Sequence, residues 1–462
     1  MALGKQEASQ QEFWTVTQDL PRSPGHPFYQ RLNEVLRAAG FDRFSEELCA
    51  PYYAERLGRP SIPPGVYFRM LLVGYFEGID SQRGIAWRCA DSRSLYEFLG
   101  VSPTERTPDH SSLTRIRQRL PMEVHLKVFQ KVVEMARGCG LLRGKTIAID
   151  ATTVEANAAM RSIVRKETGE DLRKYLERLA KEAGIEEPTA EDLRKFDKGR
   201  KGKKVSNKEW ESPTDRDARI TRMKDGRTHL AYKAEHAVDL ETELVLSATV
   251  QPADRGDPDS LPETLVQAQL NAMGAGSEAS IEEVAADKGY HKAELLAKLK
   301  AWGVRTYVAE RKDKGKRRWT DKPEGWCEAF HGNRRRCKGK RGKGLQRRRS
   351  EVVERSFAHV CESGGARRTW IRGIVEVGKR YLMQVAGFNL GLIMRALFGV
   401  GKPRALQGLS AALLHLATDC FVLIESLTAH VAALLMPLTL LNGFPTLNGK
   451  RESRFATCRL AA

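Results

Sequence analysis

The apolar positions of this 462-residue chain change their spacing about a third of the way along it. Over residues 61–120 they recur at helical intervals, in segments that open on prolines and end on glycines such as Gly100. The same periodicity over residues 122–138 predicts a longer helix. Residues 45–140 are therefore expected to form an all-α domain, and the polar residues 1–44 before it are expected to form an arm.

Beyond residue 140, short apolar runs alternate with helical periodicity, which predicts a mixed α/β domain over residues 141–400. The expected order is a strand, a hairpin of two strands, and then helix, strand, helix, strand and helix. The last of these helices is expected to begin near Ser350. The segments that carry the pattern are "TIAI", "HLAYKAEHAVDL", "ELVLSATVQP", "DSLPETLVQAQLNAMG", "IEEVAAD", "KAELLAKLKAWG", "VRTYVAE" and "EVVERSFAHV". Such an order is typical of a ribonuclease-H-like mixed sheet flanked by helices.

Two stretches depart from this pattern. Residues 155–227 hold 20 basic and 16 acidic residues, and they are expected to form an exposed insertion with one charged helix and a basic loop. Residues 401–462 include a strongly apolar part without Lys or Arg, but charged residues and Pro437 interrupt it. It falls short of the roughly 18 clean apolar residues of a membrane span, so we expect a packed helical tail and no membrane anchor.

The charge of the chain favours a polyanionic partner. The sequence carries 77 basic and 58 acidic residues, which gives a net charge of +19 and a pI near 9.6. Residues 311–349 alone hold 17 basic and 4 acidic residues. Such a concentration of charge is typical of a surface that binds nucleic acid. The eight cysteines are scattered without the spacing of a zinc or redox motif, so we expect reduced thiols in a cytosolic protein.

Three acidic residues suit chemistry on such a polyanion. Asp150 follows the first predicted strand, Asp287 follows a later one, and Glu354 lies on the last predicted helix. Carboxylates that converge beside a polyanion would repel it unless cations lie between them. The trio therefore predicts a site that holds divalent metal ions against a phosphodiester, for which DNA is the simplest candidate.

Four blocks of the sequence, "AIDATTVEANAAMRSIVRKETG", "DARITRMKDGRTHLAYKAEHAVD", "ADKGYH" and "VERSFAHVCESGGARRTWIRG", resemble the DDE transposases of bacterial insertion sequences. The resemblance covers about residues 40–400 and is strongest to members with a helical N-terminal region and a long insertion after the first Asp. It implies that Asp150, Asp287 and Glu354 are the catalytic triad and hold two Mg²⁺ or Mn²⁺ ions. The implied activity is DNA cleavage at the inverted repeats of an element and strand transfer into target DNA.

The third acid has an alternative. Related transposases often carry a Tyr-Arg-Glu-Lys signature, and counted from Glu354 its Arg and Lys positions hold Ser350 and Cys361. Counted from Glu351, only the Arg position matches. The "VERSF" block favours Glu354, and Glu351 stays open as the alternative. Asp257 is the corresponding alternative for the second acid.

Several basic or aromatic residues are candidates for contacts with DNA. The segment "SSLTRIRQRL" is expected to be a short basic helix, either of a helix-turn-helix-like DNA reader or of a plain helical bundle with a charged face. Other candidates flank the second and third acids or belong to the basic run. The candidates are Arg115, Arg117, Arg119, Lys288, Tyr290, Arg334, Arg335, Arg336, Arg347, Arg348, Arg349 and Arg355.

The resemblance implies double-stranded DNA as the partner, at terminal inverted repeats and at a target site. Because two DNA ends must be joined, we expect a homodimer or a larger assembly on DNA, in the bacterial cytoplasm and associated with the nucleoid. Two other functions stay open. The chain is alternatively a DNA-binding regulatory protein without catalysis, or a ribonuclease-H-like nuclease unrelated to transposition.

Overall fold

The computed structural model describes residues 25–54, 61–102, 105–200, 206–223, 226–311 and 318–406, with a few residues between 420 and 427. Most of the expected N-terminal arm, nearly all of the expected apolar tail and part of the basic loop in the insertion lie outside these residues.

The N-terminal part of the chain is helical, as its periodicity predicts. Gly100, at a φ of 69°, ends one helix, and the Asp109 carboxylate caps another by accepting from the Ser112 amide at 2.8 Å. Residues 27–38 of the expected arm instead form a helix, because Phe28 and Leu32 are buried there. The helices are α1 (Pro27–Ala38), α2 (Phe41–Cys49), α3 (Pro64–Glu77), α4 (Gln82–Ala90), α5 (Arg93–Leu99), α6 (His110–Arg119) and α7 (Met122–Gly138).

A mixed sheet follows, and its topology confirms the ribonuclease-H-like fold. The strands are β1 (Thr146–Glu155), β2 (Val164–Arg165), β3 (Trp210–Glu211), β4 (Arg219–Arg222), β5 (Thr228–Asp239), β6 (Val245–Pro252), β7 (Glu283–Ala286) and β8 (Arg305–Val308). The main sheet has the order β4-β5-β1-β7-β8, and β6 also pairs with β5. Strands β1, β7 and β8 are parallel, whereas β5 is antiparallel to β1, β4 and β6. The short β2 and β3 pair with each other inside the insertion.

The first strand is longer than its sequence indicates. The prediction that it stops at Asp150 is wrong, because β1 continues to Glu155. Its pairing with β5 extends from Ile147 opposite Asp239 to Glu155 opposite Ala231, and this pairing holds the polar second half in the sheet. The parallel pairing with β7, by contrast, ends at Ile149.

Seven helices complete the described part of the chain: α8 (Leu172–Glu182), α9 (Ala190–Gly199), α10 (Asp257–Gly274), α11 (Ala293–Ala301), α12 (Trp326–Lys338), α13 (Lys340–Phe357) and α14 (Ile374–Phe398). The helix that carries Glu354 does not begin near Ser350 as expected. It is α13, and it begins at Lys340. Much of the basic run is therefore helical, since it forms α12 and the first half of α13.

Helix α14 joins the two parts of the molecule. By length and composition, residues 374–406 could cross a membrane, but 72% of the apolar window is buried inside the protein. Asn389 of α14 binds both backbone groups of Val245 in β6, with its Oδ1 at 3.0 Å from the amide and its Nδ2 at 2.8 Å from the carbonyl. One hydrophobic core extends from Phe28 to Val400 and includes residues of the N-terminal helices, the sheet and α14. We therefore interpret α14 as the core helix of a globular protein.

A buried histidine ties β5 to the helices that cover it. His236 lies opposite Asp150 in the sheet, stacks on Phe357 at 4.2 Å between ring centroids, and contacts Ser356 Oγ and Tyr381 Oη at 2.9 Å each. Burial lowers its pKa to about 3. In the unfolded chain the pKa of a histidine is near 6.5. Between about pH 6.5 and 3 the unfolded chain therefore binds a proton at His236 and the folded protein does not.

We expect the free energy of unfolding to fall as the pH drops from about 6.5 toward 3, because protonation of His236 then favours the unfolded chain. In the His236→Gln variant this dependence should be shallower. Urea unfolding at several pH values between about 7 and 5 measures both slopes. If the free energy of unfolding depends on pH equally in the two proteins, His236 is not the group responsible.

Candidate active site

Two of the three predicted acids lie side by side at one edge of the parallel strands. The register pairs Ile149 of β1 with Ala286 of β7, so Asp150 and Asp287 are the next residues of neighbouring strands. Asp150 is further positioned by a local hydrogen bond, in which its Oδ1 accepts from the Ala151 amide at 2.8 Å. The structure therefore places these two aspartates next to each other.

A guanidinium group lies between the two carboxylates. Arg349 reaches them from α13, with Nη1 at 2.6 Å from Asp150 Oδ2 and Nη2 at 4.0 Å from Asp287 Oδ1. The Arg349 side chain is 11% exposed, whereas that of Asp287 is 43% exposed. The site therefore holds one internal cation and is open to solvent on the Asp287 side.

The electrostatics of the pair favour a cation. Burial raises the pKa of Asp150, and the charge of Asp287 raises it further. Arg349 and the Ala151 amide act in the opposite direction, since both stabilise the carboxylate. Two carboxylates thus share a partly buried site in which a single guanidinium offsets their repulsion.

The third acid does not join the pair. Helix α13 buries Arg349, Val353 and Ser356, whereas the Glu354 side chain is exposed and accepts from Ser350 Oγ at 2.9 Å. Within the described ranges, no group of three His, Cys, Asp or Glu residues lies close enough to hold a metal ion. The structure therefore brings together Asp150 and Asp287 but not Glu354.

The alternative acids are occupied by other cations. Glu351 accepts from Arg348 at 3.4 Å and from Arg355 at 2.5 Å. Asp257 accepts from the buried Lys233 at 2.7 Å. Each of these two carboxylates is thus bound by a basic side chain in this structure.

A buried polar network supports the turn after Asp287. The Tyr290 hydroxyl donates to Glu235 Oε1 at 2.8 Å, and Ser260 Oγ of α10 donates to the same oxygen at 2.7 Å. Glu235 is opposite Ala151 in the β1–β5 register, so the network links the turn to the strand that carries Asp150. Gly289 allows the turn to approach α10, because a Cβ atom there would lie 2.5 Å from an Asp257 carboxylate oxygen.

Sequence reasoning missed this network, although β5 carried a signal for it. Lys233 and Glu235 stand at alternate positions between the apolar residues of β5, which places them on one face of the sheet. Both side chains are almost fully buried, at 6% and 0% exposure. Two charged side chains at alternate positions of a core strand indicate a buried polar site beneath it.

The proposed DNA contacts divide into three groups. Two residues are buried and cannot reach a phosphate in this conformation: Arg117, whose Nε donates to Glu376 at 2.7 Å, and Tyr290, which is 1% exposed. For these two, the sequence interpretation is corrected, because each contributes to internal packing. The exposed candidates are Arg115, Arg119, Lys288, Arg335 and Arg347.

The remaining candidates make internal contacts. Arg348 and Arg355 both bind Glu243, in the turn of the β5–β6 hairpin, at 3.1 and 2.6 Å. Arg334 pairs with Glu310, and Arg336 donates to the Thr306 carbonyl at 3.0 Å. Arg349 binds the aspartate pair, as described above. These arginines hold α12 and α13 against the sheet.

Comparison with known families agrees with this architecture. The family model described as a transposase DDE domain matches residues 143–376, which include both aspartates, Glu354 and just over half of the chain. A second model, described as a transposase domain (DUF772), matches residues 17–119. Neither a curated protein nor a solved structure matches the chain. With the mixed sheet and the paired aspartates, these matches show that the chain belongs to the DDE transposase family.

Proposed function

We propose that this transposase cuts DNA at the inverted repeats of its element and transfers the cut ends to target DNA. Asp150, Asp287 and Glu354 would hold the divalent metal ions for this reaction. The observation that carries the proposal is the pair of neighbouring carboxylates that share one cationic group at 2.6 and 4.0 Å.

The residues at this edge fit a hard divalent cation. Carboxylate oxygens are the ligands that Mg²⁺ and Mn²⁺ prefer, and the solvent-open side at Asp287 leaves room for water and phosphate. Glu354 faces solvent here, so it would complete the ligand set only after it leaves Ser350 and this part of α13 turns toward the aspartates. When bound, two such ions would activate the attacking hydroxyl and stabilise the leaving oxygen of the phosphodiester.

Arg349 has a second role in this proposal. Its guanidinium offsets part of the negative charge of the aspartate pair while no metal is bound. In the metal-bound protein, the Arg349 guanidinium would be free to pair with a substrate phosphate through two parallel N–H donors. The exposed Lys288, next to Asp287 in the chain, would supply a further positive charge at the same edge.

The exposed arginines of α6 would bind DNA outside the catalytic site. Arg115 and Arg119 line an open cavity of 420 Å³ together with Ser112 at the start of the helix. On the catalytic side, the exposed Arg335 and Arg347 would contact the backbone near the metal site. We further propose that at least two copies assemble on DNA, because both ends of an element must be joined, and that they act in the bacterial cytoplasm.

Asp150→Asn, Asp287→Asn and Glu354→Gln should each abolish Mg²⁺-dependent cleavage of the element's own ends, because each removes a metal ligand. Binding of the terminal repeats should survive, since none of these acids attracts DNA. Cleavage assays and mobility shifts on the same repeat duplex measure the two properties. Glu351→Gln is the matched control on α13 and should still cleave.

The other outcomes separate the alternatives. If Glu351→Gln is inactive and Glu354→Gln active, Glu351 is the third acid. Repeat binding by the wild-type protein without any cleavage would support a regulatory protein. Cleavage of branched or nicked DNA without preference for the repeats would support a nuclease unrelated to transposition.

Arg349→Gln should lower the free energy of unfolding by roughly 1–3 kcal/mol in metal-free buffer, because the carboxylates of Asp150 and Asp287 lose their shared cation. Mg²⁺ should then raise the unfolding temperature more in this variant than in the wild type, since a metal ion no longer competes with the guanidinium. Thermal scans with and without Mg²⁺ test this. Equal Mg²⁺ effects in the two proteins would contradict it, and Arg349→Lys is the charge-retaining control.

The double variant Arg115→Ala with Arg119→Ala should bind DNA more weakly at every sequence, and its dependence on log salt should be shallower by about 2. Arg117→Ala is the matched control, because Arg117 is buried against Glu376. It should lower the free energy of unfolding while the salt slope stays the same. Titrations of a repeat duplex at several salt concentrations give the slopes, and a wild-type slope in the double variant would exclude α6 from the DNA interface.

A further inference from the structure

The segment after α13 returns to the end of β1 and is held there by hydrogen bonds. The Glu155 amide donates to the Arg367 carbonyl at 2.9 Å, and the Thr369 amide donates to the Glu155 carbonyl at 2.9 Å. Asn157 Nδ2 donates to the Trp370 carbonyl at 2.9 Å. The backbone around Trp370 is therefore fixed relative to the strand that carries Asp150.

The Trp370 side chain is oriented but not covered. Its indole Nε1 donates to Asp80 Oδ2 at 2.9 Å, which fixes the plane of the ring, and the side chain is nevertheless 47% exposed. The guanidinium carbon of Arg368 lies over the ring at 4.7 Å from its centroid. An aromatic face is thus presented at the surface next to a cation.

Two exposed arginines lie close to Trp370 in the sequence, against one carboxylate, Asp80, that contacts its indole. Arg368 and Arg372 are both exposed, and within the described residues neither makes an ion pair. Arg367, by contrast, pairs with Glu362 and binds Thr152 and Thr153 of β1. Arg368 lies over the ring, and the exposed Arg372 is two residues further along the chain. Such a combination of an aromatic ring and guanidinium groups suits a phosphate backbone with an accessible base.

The position relative to the aspartates is also suitable. From Asp150 to Glu155, β1 extends for five residues, or about 17 Å at about 3.4 Å per residue. Each strand of stacked DNA carries one phosphate per about 3.4 Å of helix axis. The backbone next to Trp370 is therefore anchored at Glu155, about five nucleotide steps along β1 from a phosphate held at Asp150.

We propose that Trp370 and Arg368 form a stacking site for the base of an unpaired nucleotide near the cleaved phosphate. Aromatic side chains stack on any base, and Arg368 would add attraction for the backbone. The ligand is thus a nucleobase of the same DNA that the aspartates act on, so this inference rests on the proposed function.

A purely structural role for Trp370 and a stacking role predict different effects of substitutions on DNA binding. Its bond to Asp80 links the α3–α4 turn to the segment beside β1. If that link alone mattered, Asp80→Ala would weaken DNA binding as much as Trp370→Ala does. Trp370→Phe would weaken it equally, because phenylalanine cannot donate to Asp80. A stacking role requires the ring, so Trp370→Phe should retain most of the binding and Asp80→Ala should lose less than Trp370→Ala.

The experiment measures affinity for a terminal-repeat duplex with unpaired nucleotides beside the cleavage site, in metal-free buffer so that no strand is cut. Trp370→Ala should weaken binding roughly 5- to 150-fold, the effect typical of loss of one stacked base. Trp302→Ala is the matched control: Trp302 is 44% exposed with Lys298 Nζ 5.2 Å from its ring centroid, and it precedes β8 at the other end of the parallel strands. It should bind like the wild type.

Abasic nucleotides then identify the stacked base. An abasic site is placed in turn at each of the positions within about five nucleotides of the cleavage site. At the position that stacks, Trp370→Ala should cause no further loss beyond that of the abasic site. Additive losses at every position, or equal effects of Trp370→Ala and Trp302→Ala, would overturn the proposal. If the wild-type protein does not bind the repeat at all, the proposed function itself fails.

Discussion

Two carboxylates held side by side in a partly buried site repel each other unless a cation lies between them. The strands β1 and β7 place the two carboxylates together, and a neighbouring helix supplies the cation. The parallel register places Asp150 beside Asp287. The covering helix α13 then brings Arg349 to both acids. The resulting site is balanced only while a positive group is present, which is the physical basis of the proposed metal binding.

The basic residues of the chain divide into those that pair with internal acids and those that face solvent. Many arginines of the basic run do not face solvent freely, because Glu243, Glu310 and the aspartate pair each bind one or more of them. The net charge of +19 already counts these pairs as neutral, so the positive charge available to DNA resides in the exposed, unpaired basic residues. This distinction separates residues that hold the helices in place from residues that are free to contact a phosphate backbone.

Some features of the site follow from the sequence and others do not. The neighbouring aspartates were predictable, because two apolar runs that are each followed by Asp form parallel strands whose pairing stops just before these residues. The length of β1 was not, since the polar Thr152 and Thr153 stay in the sheet only through pairing with β5. The start of α13 was not predictable either, because Gly339, Gly342 and Gly344 are unfavourable in a helix and mask its first turns.

Burial of single side chains was the least predictable feature. Arg117 belongs to a basic helix and resembles its exposed neighbours in sequence, yet its partner Glu376 is 259 residues away. Nothing local distinguishes a buried arginine from an exposed one on such a helix. The orientation of Glu354 is a similar case, since the helical pattern places it on α13 but does not decide whether it faces the aspartates or solvent.

The most direct test of the shared cation site is a crystal structure of the protein with a DNA end and Mn²⁺, in which anomalous scattering locates the ion. The account predicts a peak about 2.0–2.2 Å from carboxylate oxygens of both Asp150 and Asp287, with Arg349 displaced and Glu354 turned toward the ion. A peak elsewhere, with Arg349 still bound between the two aspartates, would contradict it.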